Sequence, residues 1–399
     1  MTFDQKVDWA LSSKTDDPKA AHKLTSLQDC EDFVAGCLFM GTGGGGDPEE
    51  GMEVLADALN EELDLGWHDP ASIPDGTLTS MVYRMGSIAP RSESESDIIA
   101  QLHLEPGTEQ EEDTICAAVR SLSEHLGESI GCLVAAELGA SNSPAPLVAA
   151  ARLGIPIVDG DYSGRAVPEE MQSTPFACGI SSDPFASVDR WGNVAIVTKT
   201  ANPHMLERVA RHLAIAGIDG TAIASTPLRA GEMKRILVQG TLSKCLQIGR
   251  ACRHATERGQ DPVEAALEVV GGWQLFDGVV VDKNWIDSGG FMIGSLEIEG
   301  TDTSGGHRMR AWFKNEIHVT WIDDRPWVCS PDLVTLVDPG TGRGFTNTEI
   351  DVGDRVVAVG MPGLEIFRRP DLLLKGSGPA YFGFDVPYFP IEQLLEEPS

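Results

Sequence analysis

Apolar residues recur at helical spacing through SLQDCEDFVAGCLFM, which follows the cap residue Ser26 and stops at Gly41. The chain runs from there into GTGGGGDP, and GMEVLADALNEEL carries a second amphipathic pattern. LTSMVYRMGSI reads as a buried strand, SESESDIIAQLHL follows it, and the acidic EPGTEQEED reads as a solvated connection. Beyond it the pattern alternates: a helix through ICAAVRSLSEHLG, a strand at GCLVAAEL, a helix at PAPLVAAARLG and a strand at IPIVDGD. Strands that are apolar throughout and separated by helices predict an α/β domain with a parallel or mixed sheet covered on both faces. WGNVAIVTKT extends this as a strand, HMLERVARHLAIAG as a helix, and residues 231–258 as one long helical stretch.

The pattern changes after about residue 275. FDGVVVDKNW, GSLEIEG, RMRAWFKNEIHVTW, LVTLVDPGTG and RVVAVGMP are short alternating runs broken by Gly, Pro and Asp, which predicts a mostly β C-terminal module. The expected organisation is a tail over 1–25, an α/β domain with the Gly-rich loop over 26–180, an α/β continuation over 181–275 and the β-rich module over 276–391. A chain of 399 residues with 42% hydrophobic side chains can bury the cores of two such units. No run approaches the 18 or more apolar residues of a membrane span, and the first residues lack the basic and apolar regions of a signal peptide. A soluble cytoplasmic protein is expected. The eight cysteines show no zinc spacing; Cys245 and Cys252, seven apart, are expected to pack on one helix face.

Charge narrows the partners. There are 61 acidic and 30 basic residues, a formal net charge of -31, so nucleic acid and anionic membranes are excluded as partners. Such a surface, in which Arg outnumbers Lys, suits a salt-rich cytosol that screens self-repulsion, and a halophilic source is the corresponding hypothesis.

Four places could carry chemistry. The loop Gly41-Thr42-Gly43-Gly44-Gly45-Gly46-Asp47 lets the backbone approach a ligand, and its N–H groups with the following helix start could cradle an anion. It matches neither a Walker A loop nor a dinucleotide fingerprint. Glu137 ends a strand and Asn142 follows in the loop, where open α/β sheets place ligands; the plainer alternative is a helix cap for Asn142 and an ion pair for Glu137. Asp159 and Asp161 end the next strand, with Arg165 after them, and could bind a divalent metal or supply a general base. Thr241, Ser243 and Lys244 open a helix and could hold a carboxylate or an anionic intermediate. The histidines form no paired zinc spacing, and Asn315-Glu316 within a β-run reads as structural.

LFMGTGGGGDP, AAELGASNS, PIVDGDYSGRAVPE, QGTLSKCLQIGR, FKNEIHV, SPDLVTLVDPGTG and GPAYFGFDVPY, in this order, resemble the S-methyl thiohydantoin desulfurase-like (DUF917) family over about residues 28–391. One departure is LGASN after Glu137, where a glycine pair is expected. The resemblance implies an N-terminal α/β domain with a C-terminal β-rich module and an association with hydantoinase/oxoprolinase proteins. It implies removal of sulfur from a five-membered cyclic substrate. The expected partners are that small cyclic molecule, further copies of the chain, and a hydantoinase/oxoprolinase-type subunit. A hydrolytic scheme follows: Asp159 or Asp161, directly or through a divalent metal, activates water, and the loop amides or Lys244 stabilise the developing anion. An amidohydrolase acting on hydantoin or lactam rings, and a non-catalytic protein holding an anionic metabolite, are the alternatives.

Overall fold

The computed structural model describes residues 22–87, 95–104, 113–218 and 220–396. Residues 1–21 of the expected tail and the acidic connection at 105–112 lie outside the described residues; the tail's last stretch is corrected, because His22 and Lys23 pair with Trp67 and Gly66 as a short strand and Leu24 is buried.

Seven strands form the first sheet: β1 (Leu78–Met85), β2 (Cys132–Ala135), β3 (Ile157–Asp161), β4 (Phe185–Val188), β5 (Val194–Val197), β6 (Thr221–Arg229) and β7 (Val238–Gln239). Their spatial order is β5-β4-β6-β1-β2-β3-β7. The central β1, β2 and β3 are parallel and the outer pairings antiparallel, so the sheet is mixed.

Both faces of this sheet are buried. Val82, Leu133 and Ile157 point into a core with helices α1 (Leu27–Met40), α2 (Pro48–Asn60), α3 (Thr114–Leu126) and α4 (Pro144–Leu153). Their strand neighbours Met81, Cys132, Val134 and Val158 pack the other way against α6 (Ala230–Ile236), and α5 (Pro203–Ala216) covers Met85, Phe185 and Ile223. That alternation explains the unbroken apolar runs, since a strand covered on two sides has no polar face.

The expected helix over 231–258 is corrected. It is two helices, α6 and α7 (Thr241–Glu257), separated by β7. Val238 and Gln239 pair with Asp161 and Gly160 of β3, and Gly240 turns the chain at φ 78° into α7. Ser26 caps α1 as expected, its side chain accepting a hydrogen bond from the Asp29 N–H. α8 (Pro262–Val270) then leads to the second sheet.

That sheet is antiparallel throughout: β8 (Trp273–Ser288), β9 (Phe291–Gly300), β10 (Arg308–Lys314), β11 (Glu316–Ile322), β12 (Arg325–Cys329), β13 (Leu333–Val337) and β14 (Arg355–Met361), in the order β12-β11-β10-β9-β8-β14-β13. In β10, Met309, Ala311 and Phe313 are buried and alternate with more exposed residues, the period-2 pattern of a one-sided core. The chain is therefore an α/β unit followed by a mostly β module. Cys245 and Cys252 are buried free thiols in α7. No helix among the described residues is long and apolar enough to cross a membrane.

Candidate active site

The carboxyl ends of β1, β2 and β3 open toward the β module, and a cavity of about 890 Å³ lies there. Its walls come from stretches far apart in sequence, among them the loop Gly43 to Asp47, the residues after β2 around Glu137 and Asn142, the segment Val167 to Glu170, and Asn315 and Glu316 at the start of β11. Its volume suits a small-molecule ligand.

Glu137 is 7% exposed. Its Oε1 accepts a hydrogen bond from Asn142 Nδ2 at 2.8 Å and its Oε2 one from the Val167 N–H at 2.6 Å. Burial pushes its pKa up to about 7, while those two hydrogen bonds and the charges of Arg211 and Arg165 pull the other way. Asn142 also exchanges hydrogen bonds with the Arg84 backbone, accepting from N at 3.0 Å and donating to O at 3.1 Å. It is therefore not the cap of α4, whose cap position is Ser143. Its amide holds Glu137 in place and locks the end of β1 to the loop after β2.

The second carboxylate comes from the β module. Glu316 is 2% exposed, and burial, aggravated by the charge of Glu137, holds its pKa well above the usual carboxylate range. Its Oε2 has no hydrogen-bond partner. The preceding Asn315 takes a left-handed backbone at φ 59° and is fastened on both sides, its Oδ1 accepting from the Met292 N–H at 2.9 Å and its carbonyl from Asn347 Nδ2 at 2.7 Å. The turn that delivers Glu316 is thus rigidly seated.

The glycine loop is where the two modules touch. A Cβ on Gly44 would overlap Glu316 Oε1, one on Gly45 the backbone of Gly139, and one on Gly46 the hydroxyl of Ser141. Gly43, Gly45 and Gly46 also have φ of 99°, 83° and 92°, a region that L side chains avoid. The loop's carbonyls bind neighbouring segments, Thr42 O accepting from Ile317 N at 2.9 Å and Gly43 O from Asn347 N at 2.7 Å. Asp47 caps α2 by accepting from the Glu49 N–H at 2.8 Å, and Glu49 and Glu50 occupy the first turn. The helix start expected to cradle an anion is thus already filled with negative charge.

The remaining expected residues lie elsewhere. Asp159 accepts from Ser243 N at 3.1 Å and Ser243 Oγ at 2.6 Å, and Trp67 Nε1 donates to that hydroxyl at 2.9 Å. It supplies from a neighbouring strand the cap that Gly240 cannot give α7. Asp161 is fully buried and its Oδ2 accepts from the N–H groups of Ser163 at 2.9 Å and Gly164 at 2.7 Å. Burial raises its pKa to about 7. Ser243 thus engages both oxygens of Asp159, whereas Asp161 is engaged through Oδ2 and its Oδ1 has no hydrogen-bond partner. Among the described residues no cluster of three or more His, Cys, Asp or Glu could hold a metal ion.

Thr241, Lys244 and Arg165 line a second cavity of about 360 Å³ with His318. Burial lowers the pKa of Lys244 there. Arg165 is 5% exposed and ties the modules together, donating to Thr42 Oγ1 at 2.7 Å and the Ile317 carbonyl at 3.1 Å. Its charge still reaches Glu137 and Glu316.

The sequence reading took Glu316 as structural and passed over Glu170, Glu207 and Arg211, all in the larger cavity. Arg211 pairs with Glu207 at 2.8 Å and donates to the Pro168 carbonyl at 2.9 Å, with the Phe291 ring 4.1 Å away. Among the described residues the cavity is lined by ten carboxylates and four arginines. Arg84 pairs with Glu50, Arg343 with Glu349, Arg211 with Glu207, and Arg190 lies over the Trp191 ring.

A mixed α/β unit and an antiparallel β module, closing over a cavity lined by the buried carboxylates Glu137, Glu170, Asp189, Glu207 and Glu316, define a two-module protein with its candidate active site at the junction. The chain belongs to the S-Me-THD-like family: the N-terminal domain model matches residues 28–199 and the C-terminal domain model residues 201–391. The second match begins within the α/β unit, because β6 and α5 to α8 precede the β module. A crystal structure of a protein from Chromobacterium violaceum shares the fold, with a TM-score of 0.73 and 23% identity over 93% of this chain and 100% of that one. No curated protein matches the chain.

Proposed function

We propose that this protein is a hydrolase that removes the sulfur substituent from a five-membered thiohydantoin-type ring, with Glu137 and Glu316 as its acid–base pair. The observation that supports this is a pair of buried carboxylates, one from each module, lining one cavity and both pushed above the usual carboxylate range by burial. Glu137, receiving two hydrogen bonds, is the base. Glu316, with a free oxygen and a pKa held well above the usual range, is the acid. The ring and its sulfur come from the family to which the chain belongs.

Water gives a proton to Glu137 and attacks the ring carbon that bears the S-methyl group. A carbon–oxygen bond forms, the carbon–sulfur bond breaks, and Glu316 protonates the departing sulfur. The ring is left as the oxo compound with a protonated nitrogen, and methanethiol leaves; one water is consumed. Glu137 returns its proton to the ring nitrogen, and the proton left on the attacking oxygen passes to Glu316 by way of solvent as the carbonyl forms, which restores both. The acidic walls suit a neutral or cationic ring and disfavour the anionic-metabolite reading, since each of the four arginines is already engaged.

The test is thiol release from S-methylated and free thiohydantoins by the wild type and by Glu137→Gln and Glu316→Gln. Release by the wild type and its loss in both variants supports the proposal. Ring opening of a hydantoin without thiol release assigns the same pair to amide hydrolysis instead.

A further inference from the structure

The ten carboxylates of the larger cavity are not equally partnered. Glu50, Glu349 and Glu207 each face an arginine, and Glu169 is bridged by Lys314 Nζ at 2.6 Å. Glu137 receives two hydrogen bonds. Glu170 is different. It is 9% exposed, it lines the cavity, and neither of its carboxylate oxygens has a hydrogen-bond partner.

Glu170 opens the short turn Glu170–Gln172, and its place is fixed from behind. Its N–H donates to Glu207 Oε2 at 3.2 Å, and Glu207 is in turn held by Arg211. Gln172 of the same turn donates to the Gly376 carbonyl, and the Glu169 N–H donates to Gln172 Oε1 at 3.1 Å. The backbone is fully engaged, while both carboxylate oxygens are buried at the cavity wall without a partner. A buried carboxylate without a partner is strongly disfavoured unless it takes up a proton or a cation reaches it. Burial and the neighbouring charges of Glu207 and Asp183 raise its pKa to about 8, so in the free protein the proton is there. In a cavity already rich in carboxylates, the partner that displaces that proton is a cation.

We propose that Glu170 is the anchor for a basic substituent, so that the ligand of this cavity is a five-membered ring whose side chain ends in an ammonium or guanidinium group. This rests on the ring-hydrolase reading for the ring, while the cationic end is argued from Glu170 alone. Glu170 reads the substituent and takes no part in bond breaking; it is a specificity residue.

Two hydantoins make the test: one derived from lysine, whose side chain ends in an ammonium, and one derived from norleucine, whose side chain ends in a methyl group. Calorimetric binding is measured at pH 7 in two buffers of different ionisation enthalpy, with the wild type and Glu170→Gln. The glutamine keeps the size and neutral state of the protonated carboxyl, and so should fold. The lysine-derived ring is expected to bind the wild type roughly ten- to a hundredfold more tightly than the norleucine-derived one. It should release close to one proton on binding, as the cation drives the proton from Glu170. In Glu170→Gln both the preference and the proton release should vanish.

Equal binding of the two rings, or undiminished proton release in Glu170→Gln, overturns the assignment and leaves the ring reading standing. n-Butylammonium as a third probe separates the two ideas. If it binds with Glu170-dependent proton release while neither ring binds, the cation site stands and the ring reading falls.

Discussion

Gly44 has no side chain because Glu316 occupies the space where one would be: a Cβ there would overlap the carboxylate oxygen Oε1. This contact seats the glycine loop of the α/β unit against the buried acid of the β module. Gly44→Ala is therefore expected to displace the Glu316 carboxylate and lower kcat on the order of a hundredfold, while the melting temperature changes little in comparison. Turnover within twofold of wild type would mean that the position of Glu316 is immaterial.

The acid–base pair has a signature in pH. Glu137 must be ionised to act as base, and burial places its pKa at about 7. Glu316 must be protonated, and its pKa lies well above the usual range. The rate should rise with pH through about 7 and fall again when Glu316 ionises. A rate that falls from pH 6 to 7.5 would reverse the two roles.

Stability should move the opposite way. Glu137, Asp161 and Glu170 all have folded-state pKa values raised above their unfolded ones, to about 7, 7 and 8. Between pH 4 and 8 the native state therefore holds more protons than the unfolded chain. Their contribution is fully present below the unfolded carboxylate pKa and is lost as pH rises through 7 to 8. Asp161→Asn, whose amide oxygen can still accept from Ser163 and Gly164, should flatten the decline of melting temperature with pH over that window. An unchanged slope would show that Asp161 is not the group titrating.

Lys244 lies in the smaller cavity, away from the pair. Lys244→Met should leave kcat within about twofold of wild type. A loss as deep as that of Glu137→Gln would return Lys244 to the chemistry and the smaller cavity with it.

How much of this was readable beforehand differs from residue to residue. The mixed sheet and β module followed from apolar runs and alternation, and Glu137 with Asn142 from their place after a strand. Glu316 was hidden. It opens a β-run, and nothing local marks it as approaching a glycine loop more than 260 positions earlier. The Asp159–Asp161 pair was visible, but the use of both carboxylates was not. The start of α7 consumes one, and the turn after β3 the other. The same long-range pairing, β7 on β3, broke the helix that periodicity carried through residue 240.

With a net charge of -31, self-repulsion of the surface is strong where salt does not screen it. The melting temperature should rise between low and molar salt by clearly more than the scatter of the measurement. Equal stability at both would remove the halophilic hypothesis.

The most direct measurement is thiol release from an S-methyl thiohydantoin by the wild-type protein and by Glu137→Gln, at equal folded concentrations. The expected result is stoichiometric methanethiol with the wild type and a rate lower by a factor on the order of a hundred to ten thousand in the variant. Full activity in Glu137→Gln would contradict the account, since it would leave the buried pair without a part in the reaction.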